Sequence, residues 1–189
     1  MFSKFLCLIA LICALSLSTF AGTVDNNPWP PTSNGDGTFT WGFSLSIGQN
    51  ESVSNGNYFV VYDFAGLQGT PTAPADWAAS TQFTTAAPSI ILAFGDDPTI
   101  DNLVFTYVGN SILSGPQTFL GFSAISNTSS FVLKDGFSRT SNQAGLQSSD
   151  NAIASPAVVT TQVPEPASIA FALTGAIGAF AKLRKRLHR

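Results

Sequence analysis

The chain has little cysteine, little histidine and little charge. Of its 189 residues only two are cysteine, Cys7 and Cys13, and only one is histidine, His188. All three lie near the ends, so the stretch 22–162 contains neither residue type. That excludes Ser-His-Asp and Cys-His nucleophile systems in this stretch, the usual zinc sites, and haem or iron–sulfur ligation. Disulfides are excluded too, so a domain here must hold together by burying a core. No phosphate-cradling glycine loop of either common spacing occurs. No cofactor is expected.

The scarce charge is also lopsided. Between 22 and 162 stand Asp25, Asp36, Glu51, Asp63, Asp76, Asp96, Asp97, Asp101, Asp135 and Asp150. Only Lys134 and Arg139 oppose these ten carboxylates, which gives a net charge of −8. The net charge of the whole chain, −3, conceals this because the remaining basic residues lie near the ends. So negative a surface speaks against nucleic acid, whose binding depends on neutralising phosphates. It suits a dispersed, soluble domain.

Two long hydrophobic runs bracket the domain. Residues 1–21 read as a secretory signal peptide: Lys4 is the positive start, 5–17 the apolar core, and Thr19-Phe20-Ala21 offers small residues at −3 and −1. Cleavage is expected between Ala21 and Gly22. Both cysteines would leave with this peptide, and the bulky Ile12 before Cys13 argues against lipidation there. The second run occupies the C-terminus. Val163-Pro164-Glu165-Pro166 precedes the apolar stretch 167–181, and 182–189 carries Lys182, Arg184, Lys185, Arg186 and Arg189. Proline fixes its own φ and forces the preceding residue to be extended, so a helix can begin only at about Pro166. Fifteen helical residues span about 22 Å, against a bilayer core of about 30 Å. The lysine and arginine stems can snorkel to the interface. The basic cluster after the run predicts a cytoplasmic tail with the rest of the chain outside.

That order of parts resembles the PEP-CTERM sorting signal, carried by many exported proteins of bacteria with an outer membrane. The resemblance rests on Pro164, Glu165 and Pro166, the short transmembrane helix and the basic tail, about one-seventh of the chain. It implies handling by an exosortase, a membrane thiol transpeptidase that recognises and cleaves such signals. It also implies delivery through the inner membrane, temporary anchoring by the C-terminal helix, then release to the cell surface or an exopolysaccharide matrix, as in a biofilm. It says nothing of what the delivered domain does. Residues 58–64 with a later Pro-Ala-Asp-Trp, and Asp96-Asp97-Pro98 leading to 102–107, are loosely similar to an ectodomain type that recurs among such proteins, and no activity comes with that likeness.

The middle of the chain reads as all-β. Phe39, Trp41, Phe43, Leu45 and Ile47 alternate with small or polar residues, the period of a half-buried strand. Asn34-Gly35-Asp36-Gly37 and Asn55-Gly56 are turn clusters. Further strands are expected at 58–64 (central, because it is densely apolar), 81–85, 89–94, 103–108 and 118–126, the last with Leu120, Phe122 and Ala124 in phase. Strands at 129–134 and 137–142 flank Asp135-Gly136, which reads as a hairpin turn. The loop 68–79 has room for one helical turn. Eight or nine short strands predict a single β-sandwich, Ig-like or jelly-roll-like, over 22–142. Residues 143–162, rich in Ser, Ala and Asn, read as a linker to the signal at 163–189, although 153–161 also reads as a last strand.

Little chemistry remains. Glycoside hydrolysis needs two carboxylates across a sugar ring, and Asp63, Asp76, Asp96, Asp97 and Asp101 are the candidates. Asp96, Asp97 and Asp101 are also the candidates for calcium, which takes clustered oxygens, though their spacing matches no known loop. Trp29 and Trp77 are the candidates for stacking on a sugar, while Trp41 is in phase with the core. The reading these features favour is a non-enzymatic exported surface or matrix protein. The alternatives are a carbohydrate-binding module or a carboxylate-dependent hydrolase displayed by the same signal.

Overall fold

The computed structural model describes residues 22–87 and 92–158. The expected signal and transmembrane helices, and all of 163–189, lie outside the described residues. Within them the chain is all-β, and no helix is long and apolar enough to cross a membrane. Twelve strands form: β1 (Thr23–Asn26), β2 (Thr32–Ser33), β3 (Phe39–Ile47), β4 (Glu51–Val53), β5 (Tyr58–Val61), β6 (Leu67–Thr72), β7 (Trp77–Gln82), β8 (Asn102–Tyr107), β9 (Leu113–Ser114), β10 (Gln117–Ser126), β11 (Phe131–Asn142) and β12 (Gly145–Pro156). They make two antiparallel sheets that face each other as in a β-sandwich. One sheet runs β1-β3-β10-β6, with β2 also on β3. The other runs β7-β8-β5-β11, with β12 also along β11, the short β4 paired to the end of β11 and β9 paired to β4.

The alternation in β3 is what builds the core. Trp41, Phe43, Leu45 and Ile47 all point inward and are buried. They meet Phe59 and Val61 of β5, Leu103 and Phe105 of β8, and Phe122 of β10. Phe59 stacks on Phe105 with centroids 4.8 Å apart, and Phe122 stands edge-on to both at 4.7 and 5.2 Å. Aromatic rings prefer such offset and edge-on contacts, and they supply the burial that a cysteine-free domain needs. β5 is central, as its apolar density predicts, lying between β8 and β11. Its outward Val60, and Tyr62 just after it, are buried as well, with Val104 and Phe137, because Ala87 and Leu92 pack across that face.

Several expectations are corrected by the partners each strand finds. Asp135-Gly136 is no turn: β11 runs straight through it, with β5 on one side and β12 on the other. Gly136 is small for packing reasons, since a Cβ there would lie 2.9 Å from Ile153 Cγ2 and 3.1 Å from Val24 Cβ. The hairpin turn lies at 143–144, between paired Asn142 and Gly145. The linker expected at 143–162 is therefore wrong over most of its length: residues 145–156 are β12, paired with all of β11. The helical turn allowed in 68–79 is replaced by β6 and the start of β7. The strand expected at 81–85 begins earlier, at Trp77, and the described part of 89–94 carries no strand. In β10 a bulge between Phe119 and Phe122 shifts the phase. Gly121 adopts φ 90° there, a left-handed value that glycine tolerates. Phe119, Phe122 and Ala124 are inside, and Leu120 is 55% exposed.

One long side of the sandwich is closed by two asparagines. The Asn26 amide donates to Ala154 O and accepts from Ala154 N, both at 2.8 Å. The Asn151 amide donates to Val24 O at 2.7 Å and accepts from Val24 N at 3.1 Å. Each side chain thus stands in for a strand partner between β1 and β12 and satisfies edge groups that would otherwise be orphaned.

Candidate functional site

The polar residues gather where Thr85, Ala87 and residues 92–96 lie on the outer face of the second sheet. Asp135, fully buried on β11, accepts from two consecutive backbone amides, Ala93 N at 3.0 Å and Phe94 N at 2.9 Å. Asp96 accepts from Thr85 N at 3.0 Å and from the Asn102 amide at 2.8 Å. Tyr62 donates its hydroxyl proton to Thr85 O at 2.8 Å. Burial, and then the charge of Asp96, raises the Tyr62 phenol far above its ordinary range. Carboxylates aimed at backbone N–H groups are strong, charge-assisted clasps.

Asp63 is the second focus. It follows β5 with a left-handed φ of 51° and is 1% exposed. Its N–H donates to Asn102 Oδ1 at 2.8 Å, and its carbonyl accepts from Ser155 Oγ at 3.1 Å. Its Oδ1 accepts from Asp97 N at 2.9 Å, and its Oδ2 meets Lys134 Nζ at 2.5 Å.

The three calcium candidates do not converge. Asp96 holds Thr85 and Asn102, as above. Asp97 turns back on Thr99, accepting its N–H at 3.0 Å and its hydroxyl at 2.7 Å, which lowers its carboxyl below the usual range. Asp101 contributes its backbone carbonyl, which accepts from Phe64 N at 2.7 Å. Among the described residues no group of three or more His, Cys, Asp or Glu is placed to hold a metal ion. Asp76 is exposed with φ 63°, and its backbone carbonyl caps the end of β8 through Val108 N.

The two tryptophan candidates part company. Trp77 is not in a loop: it is on β7, 8% exposed, wedged against Tyr107, Phe119 and Phe122. It lines an open cleft of about 260 Å³ with Asp76, Tyr107 and Phe119. Trp29 is 47% exposed, with Phe131 edge-on at 5.0 Å and Trp41 behind it at 6.0 Å.

No protein-family model matches the chain, and no curated protein matches it.

Of the remaining sequence candidates, Gly22 is described and Ala21 is not. Gly22 is buried; its N–H donates to Thr140 Oγ1 at 3.4 Å and its carbonyl accepts from the Ser138 hydroxyl. A Cβ would stand 2.8 Å from Leu45 Cδ1, so glycine fits closely here. Val163, Pro164, Glu165 and Pro166, and Lys182, Arg184, Lys185, Arg186 and Arg189, lie outside the described residues. The sequence reading overlooked Lys134, Asp135 and Asp150 as a group. Their signal was present: Lys134 and Asp135 interrupt an apolar start to β11, and Asp150 is the one charged residue of β12.

Proposed function

We propose that the chain is an exported, non-enzymatic protein of the cell surface or extracellular matrix. On this reading it passes the inner membrane, is held by an apolar C-terminal helix, and is released by an exosortase into surroundings rich in exopolysaccharide. The observation that carries it is the ordered C-terminal signature: Val163 to Pro166, the apolar 167–181, and the basic 182–189. The domain supports it indirectly, because Asp63, Asp96, Asp97 and Asp135 spend their carboxylates on lysine and backbone amides within the fold. We take the two-sheet domain as a sandwich of the Ig-like or jelly-roll-like kind, a durable cargo for display. Fractionation of cells expressing the full chain and a chain lacking 163–189 tests the reading. The deletion is expected to leave the membrane and surface fractions for the soluble exported one; identical distributions would sink it.

A second reading, a carbohydrate-binding module, is favoured by the exposure of Trp29 beside Phe131, since a flat ring can stack on a pyranose. Its test is co-sedimentation with the host's own polysaccharides, and retention equal to that of a Trp29→Ala variant counts against it. A carboxylate-dependent hydrolase is the weaker form of this alternative. Equal activity of wild type, Asp63→Asn and Asp96→Asn on a glycan panel removes it.

A further inference from the structure

Lys134 is one of two basic residues between 22 and 162, and it is spent on a buried carboxylate. We propose that Lys134 and Asp63 become covalently joined, by an amide between Lys134 Nζ and Asp63 Cγ that the surrounding residues form without a cofactor.

The geometry suits acyl transfer. β5 and β11 are antiparallel with Gly136 opposite Val61, so the same register brings residue 134 across from residue 63. Nζ lies 2.5 Å from Oδ2, with the two side chains 21% and 1% exposed. The backbone of Asp63 is pinned at both ends by Asn102 and Ser155. The other carboxyl oxygen, Oδ1, already accepts from Asp97 N at 2.9 Å. A nucleophile thus stands at one oxygen and a fixed N–H donor at the other, where negative charge develops in a tetrahedral intermediate.

The steps balance internally. A proton passes from the ammonium to Oδ2, giving an amine and a carboxylic acid. The amine lone pair attacks Cγ, and the carbonyl electrons move to Oδ1 under the Asp97 N–H. Nitrogen then gives up a second proton to the Oδ2 hydroxyl. The Cγ–Oδ2 bond breaks, the carbonyl re-forms and one water leaves. Nothing is oxidised or reduced. Condensation in open water is unfavourable, but effective molarities of roughly 10⁵–10⁸ M for well-oriented intramolecular pairs offset this. The link would tie residues 71 apart in sequence. In a stretch without cysteine it supplies the covalent staple that disulfides give other exported domains.

Intact-mass and peptide mass spectrometry of the purified full chain test this. Wild type is expected to be lighter by one water than the mass calculated between its observed termini, and Lys134→Arg, which keeps the charge but lacks the amine, to have its calculated mass. Chymotryptic digests should hold one branched peptide containing both Asp63 and Lys134, and trypsin should no longer cut after Lys134. Folded wild type at the full mass calculated between its observed termini after prolonged incubation overturns the proposal, as does a lost water that maps to a single unbranched peptide. The wild-type mass decides the matter even if the variant fails to fold.

Discussion

Asp135 and Asp150 are diagonal neighbours on the outer face of the β11–β12 pair. Asp150 lies opposite Phe137, and Asp135 lies two pairs further along, opposite Ala152. Asp135 is wholly buried and holds two backbone amides, whereas Asp150 has a buried Oδ1 with no partner. Burial, and then the charge of Asp135, pushes the Asp150 carboxyl up to about 6.

This pair predicts an unusual pH dependence. The folded chain keeps a proton on Asp150 that the unfolded chain has given up, so this contribution is fully present below the ordinary carboxylate range and is lost as pH rises to about 6. Asp150 is partly open to solvent, so the effect is about 1 kcal/mol after screening. Urea denaturation of Asp150→Asn at pH 7.5 is expected to show a gain of about that size, with a flatter profile between pH 4 and pH 7. A variant less stable than wild type at pH 7.5 would contradict the account.

The asparagine bridges between β1 and β12 predict a graded response. Asn26→Ala removes a donor and an acceptor from Ala154 and is expected to cost about 1–3 kcal/mol. Asn26→Asp should cost more at neutral pH, because it places a carboxylate against the Ala154 carbonyl that Asn26 Nδ2 now serves. It should recover part of the loss when acidified. Thermal denaturation of both variants at two pH values checks the order.

Gly136→Ala tests whether that glycine serves packing. The added methyl meets Ile153 and Val24, and overpacking costs roughly 1–3 kcal/mol. Relief of the loss by Ile153→Ala in the double variant, measured as a coupling energy, is the expected sign of that clash.

The bulge in β10 fixes which side chains count. Phe119→Ala is expected to lose about 3–5 kcal/mol, and Leu120→Ala less than about 0.5 kcal/mol. Chemical denaturation of the two variants distinguishes this register from the uninterrupted alternation, in which Leu120 would be the costly one.

The local pattern of the sequence determined the all-β class, the inward set of β3, the central place of β5, and the turns at Asn34 to Gly37 and Asn55-Gly56. These follow from period and from turn chemistry, both of which act within a few residues. The absence of histidine and cysteine from 22–162 was equally plain. Tertiary partners decided the rest. Asp-Gly is a turn when a strand has run out of neighbours; here β5 and β12 continue on both sides of it, and the strand goes on. The polar stretch 145–156 is a strand because twelve pairings with β11 satisfy its backbone, whatever its composition. Trp77 is core because β8 and the bulged β10 bring Tyr107 and Phe122 to it. Lys134 meets Asp63 only through the β5–β11 register, a relation between residues 71 apart that no local pattern encodes.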